Sequence, residues 1–259
     1  MNNLAYLFEN LPEVELVSDE EREQKDIDWK NSRPGNLEGY DCEVCLNRGY
    51  VYMLGNTSKT CECMKTRRSL KLITASGLEP LMKRYTFDSF TTGVKWQAAI
   101  KAAALDFLKD DAACFFAILG QTGAGKTHIC TAMAADYLRK HIPVYYMLWL
   151  SDIKKLRATV TEGEIHEKEI KRLQTIEVLY LDDLFKCKRG FQPSDADVRL
   201  AFEIINARYN AQRTTLISSE FTINELKQID PATAGRIKEL CGSYMLNIER
   251  NESRNYRWI

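Results

Sequence analysis

The sequence predicts an α/β domain, a parallel sheet with helices on both faces, preceded by a small four-cysteine module. Three observations carry that prediction. A glycine-rich strand-loop-helix segment occupies residues 114–140, strand-sized apolar runs alternate with helical periodicity after it, and four cysteines fall within 42–63. The 259 residues suffice for one full domain plus something smaller. With 45% hydrophobic residues and 36 Lys+Arg against 36 Asp+Glu, low hydrophobicity and high net charge are both missing, which excludes long disorder. The apolar stretches 114–119 and 144–150 are far shorter than the roughly 18 residues of a membrane span, so no membrane partner is expected. Residues 1–21, MNNLAYLFENLPEVELVSDEE, hold no basic segment followed by an apolar core. Neither a secretory signal nor a transit peptide is expected there, and the expected location is cytoplasmic.

The zero charge balance hides an asymmetry. Residues 1–40 carry ten acidic and four basic side chains, whereas 64–84 carry Lys65, Arg67, Arg68, Lys71, Lys83 and Arg84 against Glu79 alone. Two readings are open for the basic stretch: solvated linker charge, or contact with a phosphate backbone or an acidic partner.

Cys42 and Cys45 form a C-x2-C knuckle in YDCEVCLNRG, and Cys61 and Cys63 form C-x-C. A short strand-like stretch at 50–54 and the turn GNTS separate the pairs. Two pairs around a hairpin is the layout of a four-thiolate zinc site, in which Zn2+ supplies the core that about 25 residues cannot build. Such a site is coordinatively closed, so its role is structural. The alternative is a redox pair or unligated thiols. Cys114, Cys130, Cys187 and Cys241 are scattered singly and read as small buried hydrophobes.

The strongest signal is Gly120-Gln121-Thr122-Gly123-Ala124-Gly125-Lys126-Thr127, a full G-x4-G-K-T phosphate-binding loop. The buried-strand run CFFAIL precedes it and the helical segment HICTAMAADYLRK follows, beginning at His128. That setting lets loop amides and a helix N-terminus converge on phosphates. Lys126 is expected to reach the β- and γ-phosphates of ATP, and the Thr127 hydroxyl to bind Mg2+. A second strand is expected at 144–150 and helices at 152–158 and 166–173. The run Val178-Leu179-Tyr180-Leu181-Asp182-Asp183 then ends in two carboxylates, Asp182 to hold Mg2+ directly or through water and Asp183 to polarise the attacking water. A helix at 193–209, a strand at 214–218, helices at 224–228 and 232–240, and a last strand at 243–248 complete an α/β P-loop NTPase.

With these residues placed, the chain resembles the DnaC/DnaI-type helicase loaders of the AAA+ superfamily, particularly phage and prophage versions with an IstB-like ATPase core. The resemblance spans nearly all of 40–259 and rests on CECM, GLEPLMKRYTFDSF, GQTGAGKTH, LYLDDL, TTLISSE, AGRIKEL and NYR in that order. It implies an AAA+ core without a C-terminal lid. It also places Ser219 at the sensor 1 position, where many relatives have Asn, and Asp183 where most have Glu, which implies slow turnover suited to switching. Arg236 matches the family's arginine finger, which reaches a neighbouring subunit's γ-phosphate and implies self-assembly through ATP-bridged interfaces.

The organisation expected is an acidic arm at 1–40, a zinc module at 41–64, a basic linker at 65–95 and the ATPase domain at 96–259. The implied function is ATP-dependent loading of a hexameric replicative helicase onto single-stranded DNA in replication initiation. The N-terminal region would grip the helicase while ATP binding and slow hydrolysis, stimulated by DNA or self-assembly, set hold and release. Tyr85 and Phe87 beside Lys83 and Arg84 either stack on bases or anchor the linker onto the ATPase core, the latter being preferred. The near-neutral charge argues against tight, sequence-independent DNA binding by a monomer. Three competing classes are an IstB-type transposition helper, which would normally lack the zinc module, a non-hydrolysing ATP-binding adaptor, and a small-molecule kinase.

Overall fold

In the computed structural model, which describes residues 18–76, 78–188 and 191–256, the chain divides into two compact units, Met1–Met64 and Lys65–Ile259. Residues 1–17, which hold most of the segment read for a targeting signal and the first part of the expected acidic arm, lie outside the described residues.

The first unit opens with α1 (Asp19–Ser32), an element without a counterpart in the sequence reading. Its start is a capping box, in which the Ser18 hydroxyl accepts from the Glu21 amide and the Glu21 carboxylate accepts from the Ser18 amide. The expected strand-like stretch becomes β1 (Tyr50–Met53), paired antiparallel with β2 (Thr57–Thr60). The helix is tied to this hairpin by polar contacts. Asn31 donates to the Tyr52 carbonyl and accepts from its amide, both at 3.0 Å, and Arg48 donates to the Lys30 carbonyl at 2.8 Å.

The segment expected as a basic linker is mostly helical, with 85–94 irregular. It comprises most of α2 (Cys63–Ser76), all of α3 (Glu79–Arg84) and the first residue of α4 (Lys95–Phe107). Lys65, Arg68, Lys71, Lys83 and Arg84 are exposed, but Arg67 is buried. Ile73 and Leu78 belong to the core of the second unit, so this stretch is part of the domain.

The phosphate-loop strand β3 (Phe115–Gly120) is buried along its whole length, as a strand covered on both faces must be. It is followed by α5 (Lys126–Arg139), β4 (Val144–Leu148), α6 (Trp149–Ala158), α7 (Gly163–Thr175), β5 (Val178–Asp182), α8 (Asp195–Asn210), β6 (Thr215–Ser219), α9 (Ile223–Ile229), α10 (Pro231–Cys241) and β7 (Met245–Ile248). The five-stranded sheet is parallel throughout, in the order β4-β5-β6-β3-β7. Successive side chains of a strand face opposite ways. Phe115, Ala117 and Leu119 therefore join the buried cluster of Trp149, Ile204 and Ile237 on one face, while Phe116 and Ile118 join that of Phe107, Ile129 and Met133 on the other. The predicted α/β P-loop class, with helices on both faces, is the observed one.

Several expected boundaries shift. Residues 144–150 were expected as one strand, but β4 stops at Leu148 and Trp149 opens α6, where the Asp152 carboxylate accepts the Leu148 amide at 3.0 Å. An apolar run by itself does not separate a strand from a buried helical turn. The last strand starts at Met245, because Gly242–Tyr244 form a 3-10 turn. Cys114, Cys130 and Cys241 are buried as expected, but Cys187 is half-exposed on the loop after β5. Among the described residues, no helix is long and apolar enough to cross a membrane.

One buried cation stitches the domain together. Arg208 on α8 is fully buried and donates to the carbonyls of Leu173 and Ile176 at 2.9 and 2.8 Å, to the Thr214 carbonyl, and to the Thr215 hydroxyl. These acceptors lie around the end of α7 and the starts of β5 and β6, so the guanidinium satisfies backbone oxygens where three elements meet.

Candidate nucleotide and metal sites

The strand order brings the C-terminal ends of β3, β6 and β5 side by side, the place where open α/β sheets bind ligands. Gly120 and Gly123 have φ of 94° and 76°, a region that L side chains avoid. Neither tolerates a Cβ, which would meet the Ile248 carbonyl oxygen at Gly120 and Asn255 Oδ1 at Gly123. The loop is thus fixed by conformation and by close backbone approach. It opens into a cavity of about 250 Å3 lined by Thr122, Gly123, Gly125, Lys126, Thr127 and His128 on one side.

Lys126 is buried and donates to the carbonyls of Gly120 and Gln121 at 2.9 and 2.7 Å. Burial pulls its pKa down to about 8, against the opposing pull of Asp183 and Glu220. The Thr127 hydroxyl donates to Asp182 Oδ1 at 3.1 Å. That separation fits two neighbouring ligands of Mg2+, because an octahedron with ~2.1 Å bonds has edges of about 3.0 Å. Asp182 also accepts from the hydroxyls of Tyr146 and Tyr180, at 3.0 and 2.9 Å, and from Ser218. Asp183 lies one residue beyond β5 with φ of 57°, which turns its carboxylate into the cavity. Burial raises its pKa, opposed by Lys186, whose ammonium lies 2.8 Å away.

The remaining wall comes from distant segments. Tyr85 stacks on the His128 ring at 4.6 Å, and Phe90 meets it edge-on at 5.1 Å. The aromatic stretch before α4 therefore packs onto the P-loop core. His128 Nε2 is 2.8 Å from the Thr86 carbonyl, and since a carbonyl only accepts, this nitrogen carries the proton. Burial holds the His128 pKa below its ordinary value, against that carbonyl. From the C-terminal side, the Tyr256 amide donates to the Gly123 carbonyl at 2.9 Å, and its hydroxyl donates to the Thr91 carbonyl at 3.2 Å.

The expected site residues are thus partly assembled. The loop 120–128, Asp182 and Asp183 come together. Ser219 is fully buried but faces away from the cavity, its hydroxyl donating to the Leu184 carbonyl at 2.8 Å and accepting the Phe221 amide. Its neighbours Ser218 and Glu220 reach the site instead. Arg236 stands apart from this cavity on α10, donating to Asn206 at 2.8 Å with its guanidinium 4.7 Å from the Phe202 ring. Sequence reasoning missed Tyr146, Tyr180, Lys186, Ser218, Glu220 and Tyr256. Tyr180, Lys186, Ser218 and Glu220 stood within three residues of a predicted site residue, whereas Tyr146 and Tyr256 had no such neighbour.

In the first unit, Cys42, Cys45, Cys61 and Cys63 are all buried, and their sulfurs lie within 4.8 Å of one another. Cys42 and Cys61 sulfurs are 3.7 Å apart and those of Cys45 and Cys63 are 3.5 Å apart. A tetrahedral zinc with ~2.3 Å bonds to sulfur has edges of about 3.8 Å, so the donor set and its spacing fit that ion. The Gly49 amide donates to Cys45 Sγ at 3.3 Å, the contact expected around a thiolate ligand. Burial pushes the Cys45 thiol up, but this amide and the neighbouring thiols outweigh it and leave the pKa at about 7.

Comparison with known proteins gives a consistent picture. The phage-like element PBSX protein XkdC of Bacillus subtilis strain 168 is 32% identical over 224 residues, covering 81% of this chain and 83% of that protein. AMPPCP-bound DnaA from Aquifex aeolicus superposes with a TM-score of 0.53 at 17% identity, over 65% of this chain and 50% of that one. A solved DnaI does so with a TM-score of 0.50 at 15% identity, over 66% of this chain and 89% of that one. At these identities the structural matches establish the AAA+ fold alone, and the chain spans half the length of the DnaA it matches. The IstB-like ATP binding family matches residues 50–235, from β1 to the residue before Arg236. This chain belongs to the IstB-like ATP binding proteins.

Proposed function

We propose that the protein is an ATP-hydrolysing loader that delivers a hexameric replicative helicase to single-stranded DNA. The observation that carries this reading is the union, in one chain, of a four-cysteine module and an AAA+ nucleotide site. The similarity to XkdC supports it, because 81% of the chain is more than Lys65–Ile259 supplies, so the likeness reaches into the cysteine-bearing unit. Fold similarity to DnaI agrees with the loader class that the sequence resembles.

In this reading the loop amides and Lys126 hold the phosphates of ATP, and Thr127 and Asp182 hold Mg2+. That ion neutralises charge on the phosphates. Asp183 orients the attacking water. Arg236 serves a neighbouring protomer rather than its own cavity, so ATP binding and self-assembly are coupled. Ser219 acts through the turn it fastens, holding Leu184 and so the backbone next to Asp183. The zinc-stapled first unit presents the surface that grips the helicase.

The test is co-purification with the cognate replicative helicase, with and without residues 1–64, followed by unwinding of a DNA circle coated with single-strand-binding protein. A stable complex that needs the first unit and delivers helicase only with ATP is expected. A complex unaffected by removal of 1–64 would overturn the division of labour, and no complex would overturn the loader reading. The family match favours one second reading, an IstB-type transposition helper. ATPase activity raised by duplex DNA and not by single strands would favour that reading.

A further inference from the structure

One cation at the nucleotide cavity, Lys186, has no part in the roles described so far. The Lys186 ammonium lies 2.8 Å from Asp183 Oδ2 and 3.1 Å from Glu220 Oε1, and all three side chains line the cavity that holds Lys126 and Thr127. This is not a lysine on a loose surface loop. The turn after β5 carries two residues in the left-handed region, Asp183 and Phe185, and closes with the Lys186 amide donating to the Asp183 carbonyl at 2.9 Å. Phe185 is buried edge-on against Trp149, with ring centroids 5.5 Å apart. The turn is therefore anchored, and it folds Lys186 back over the carboxylate three residues before it. On the other side, Glu220 directly follows β6 and lines the cavity together with Thr122 of the phosphate loop; burial pushes its pKa up, but Lys186 and Thr122 outweigh that and hold it below the ordinary value. A chain of contacts runs from Glu220 through Lys186 to Asp183.

A lysine held between two carboxylates within such a cavity is a cation that a third anion can compete for. The terminal phosphate of a nucleoside triphosphate is that anion, and a diphosphate lacks it. We propose that Lys186 senses the terminal phosphate: its ammonium exchanges the Asp183 carboxylate for a γ-phosphate oxygen, which frees Asp183 to orient water. Lys186 is thus the residue that distinguishes triphosphate from diphosphate within a single chain, and a positioning residue for Asp183. The exchange is one ion pair for another, so no bond is made or broken and no proton moves. This inference rests on the cavity being the ATP site and on the role given above to Asp183.

The test uses the full chain with Mg2+ and two probes, the non-hydrolysable triphosphate AMPPCP and ADP, titrated by calorimetry. The unaltered protein is expected to bind AMPPCP more tightly than ADP. Lys186→Met should lower that preference at least fivefold while leaving ADP affinity within twofold, and Lys186→Arg should restore most of it. A merely structural role would weaken both ligands alike. An unchanged AMPPCP-to-ADP ratio in Lys186→Met, an equal loss for both, or no preference in the unaltered chain each overturns the proposal. Lys126→Ala separates this from failure of the site itself. If that variant binds both nucleotides as well as the unaltered chain does, the cavity is not the nucleotide site and the proposal falls with it.

Discussion

Replacing Cys45 with serine, or stripping metal with a chelator, is expected to unfold the knuckles of the first unit while the sheet of the second unit stays folded. Among the described residues up to Met64, Ile27 and the four cysteines are the only buried apolar side chains. Burying one isoleucine contributes about 1.5–3 kcal/mol. Ordering the backbone of 42–49 and 61–63 costs about 11–22 kcal/mol at ~1–2 kcal/mol per residue. A structural four-thiolate zinc supplies about 10–16 kcal/mol, the size of the difference. Cys45 is the position to change because it is fully buried and its sulfur accepts the Gly49 amide. Elemental analysis of the purified chain should find one zinc per molecule. Hydrogen exchange should then show the amides of 42–63 losing protection on chelation or in Cys45→Ser, with those of β3, β5 and β6 unchanged. Knuckle amides that stay protected in a chain without zinc would refute the reasoning, because the cysteines would then hold the unit as an ordinary small core.

Gly123→Ala places a side chain at φ of 76° and against Asn255, so AMPPCP affinity should fall at least tenfold by calorimetry; unchanged affinity would mean that the loop reshapes freely. Arg208→Met leaves backbone carbonyls at the end of α7 and the start of β6 unpaired and should cost about 3 kcal/mol in urea denaturation. That loss corresponds to a fall in Tm of roughly 6–12 °C, and a loss below ~1 kcal/mol would show that water replaces the guanidinium. Arg236→Ala should bind ATP as before yet lose about 10³-fold in assembly-dependent hydrolysis; unchanged turnover would remove the finger assignment.

What could be read from the sequence was local. The loop 120–127 needs glycines next to a lysine and a hydroxyl, a strand before and a helix after, and all of that is contiguous. The rest of the cavity comes from strand order. Because β6 lies between β3 and β5, the residues just past its end, 38 positions after Asp182, sit beside the phosphate loop. No spacing in the chain announces Glu220 or Ser218. The tyrosines on Asp182 were hidden for another reason. Tyr146 and Tyr180 are strand residues whose rings, 5.1 Å apart, read as core, and only the sheet shows that their hydroxyls end on a carboxylate. Helices α2 and α3 were hidden by their charge. Six basic residues against one acid suggested a linker, whereas Arg67 is buried and Ile73 and Leu78 on the same stretch are fully buried.

The adjacent aspartates show how the fold gives one residue type two environments. In the sequence Asp182 and Asp183 are adjacent carboxylates, and a strand alternation would merely point them to opposite faces. The fold does more than alternate them. Asp182 remains in β5, buried, and accepts from the hydroxyls of Thr127, Tyr146, Tyr180 and Ser218, neutral donors that orient the carboxylate without cancelling its charge. That is the environment of a group kept ready for a cation. Asp183 leaves the strand through a left-handed residue, and its amide is caught by the Ser218 hydroxyl at 2.9 Å, so its position is set by backbone rather than by side-chain packing. Its carboxylate meets a lysine instead of hydroxyls. Ser218 touches both residues at once, and a shift of β6 at that hydroxyl therefore moves both carboxylates together. Under the function proposed above, metal binding and water orientation are thereby linked through one strand end, and Glu220, two residues further along the same chain, extends that link to Lys186 in the same cavity.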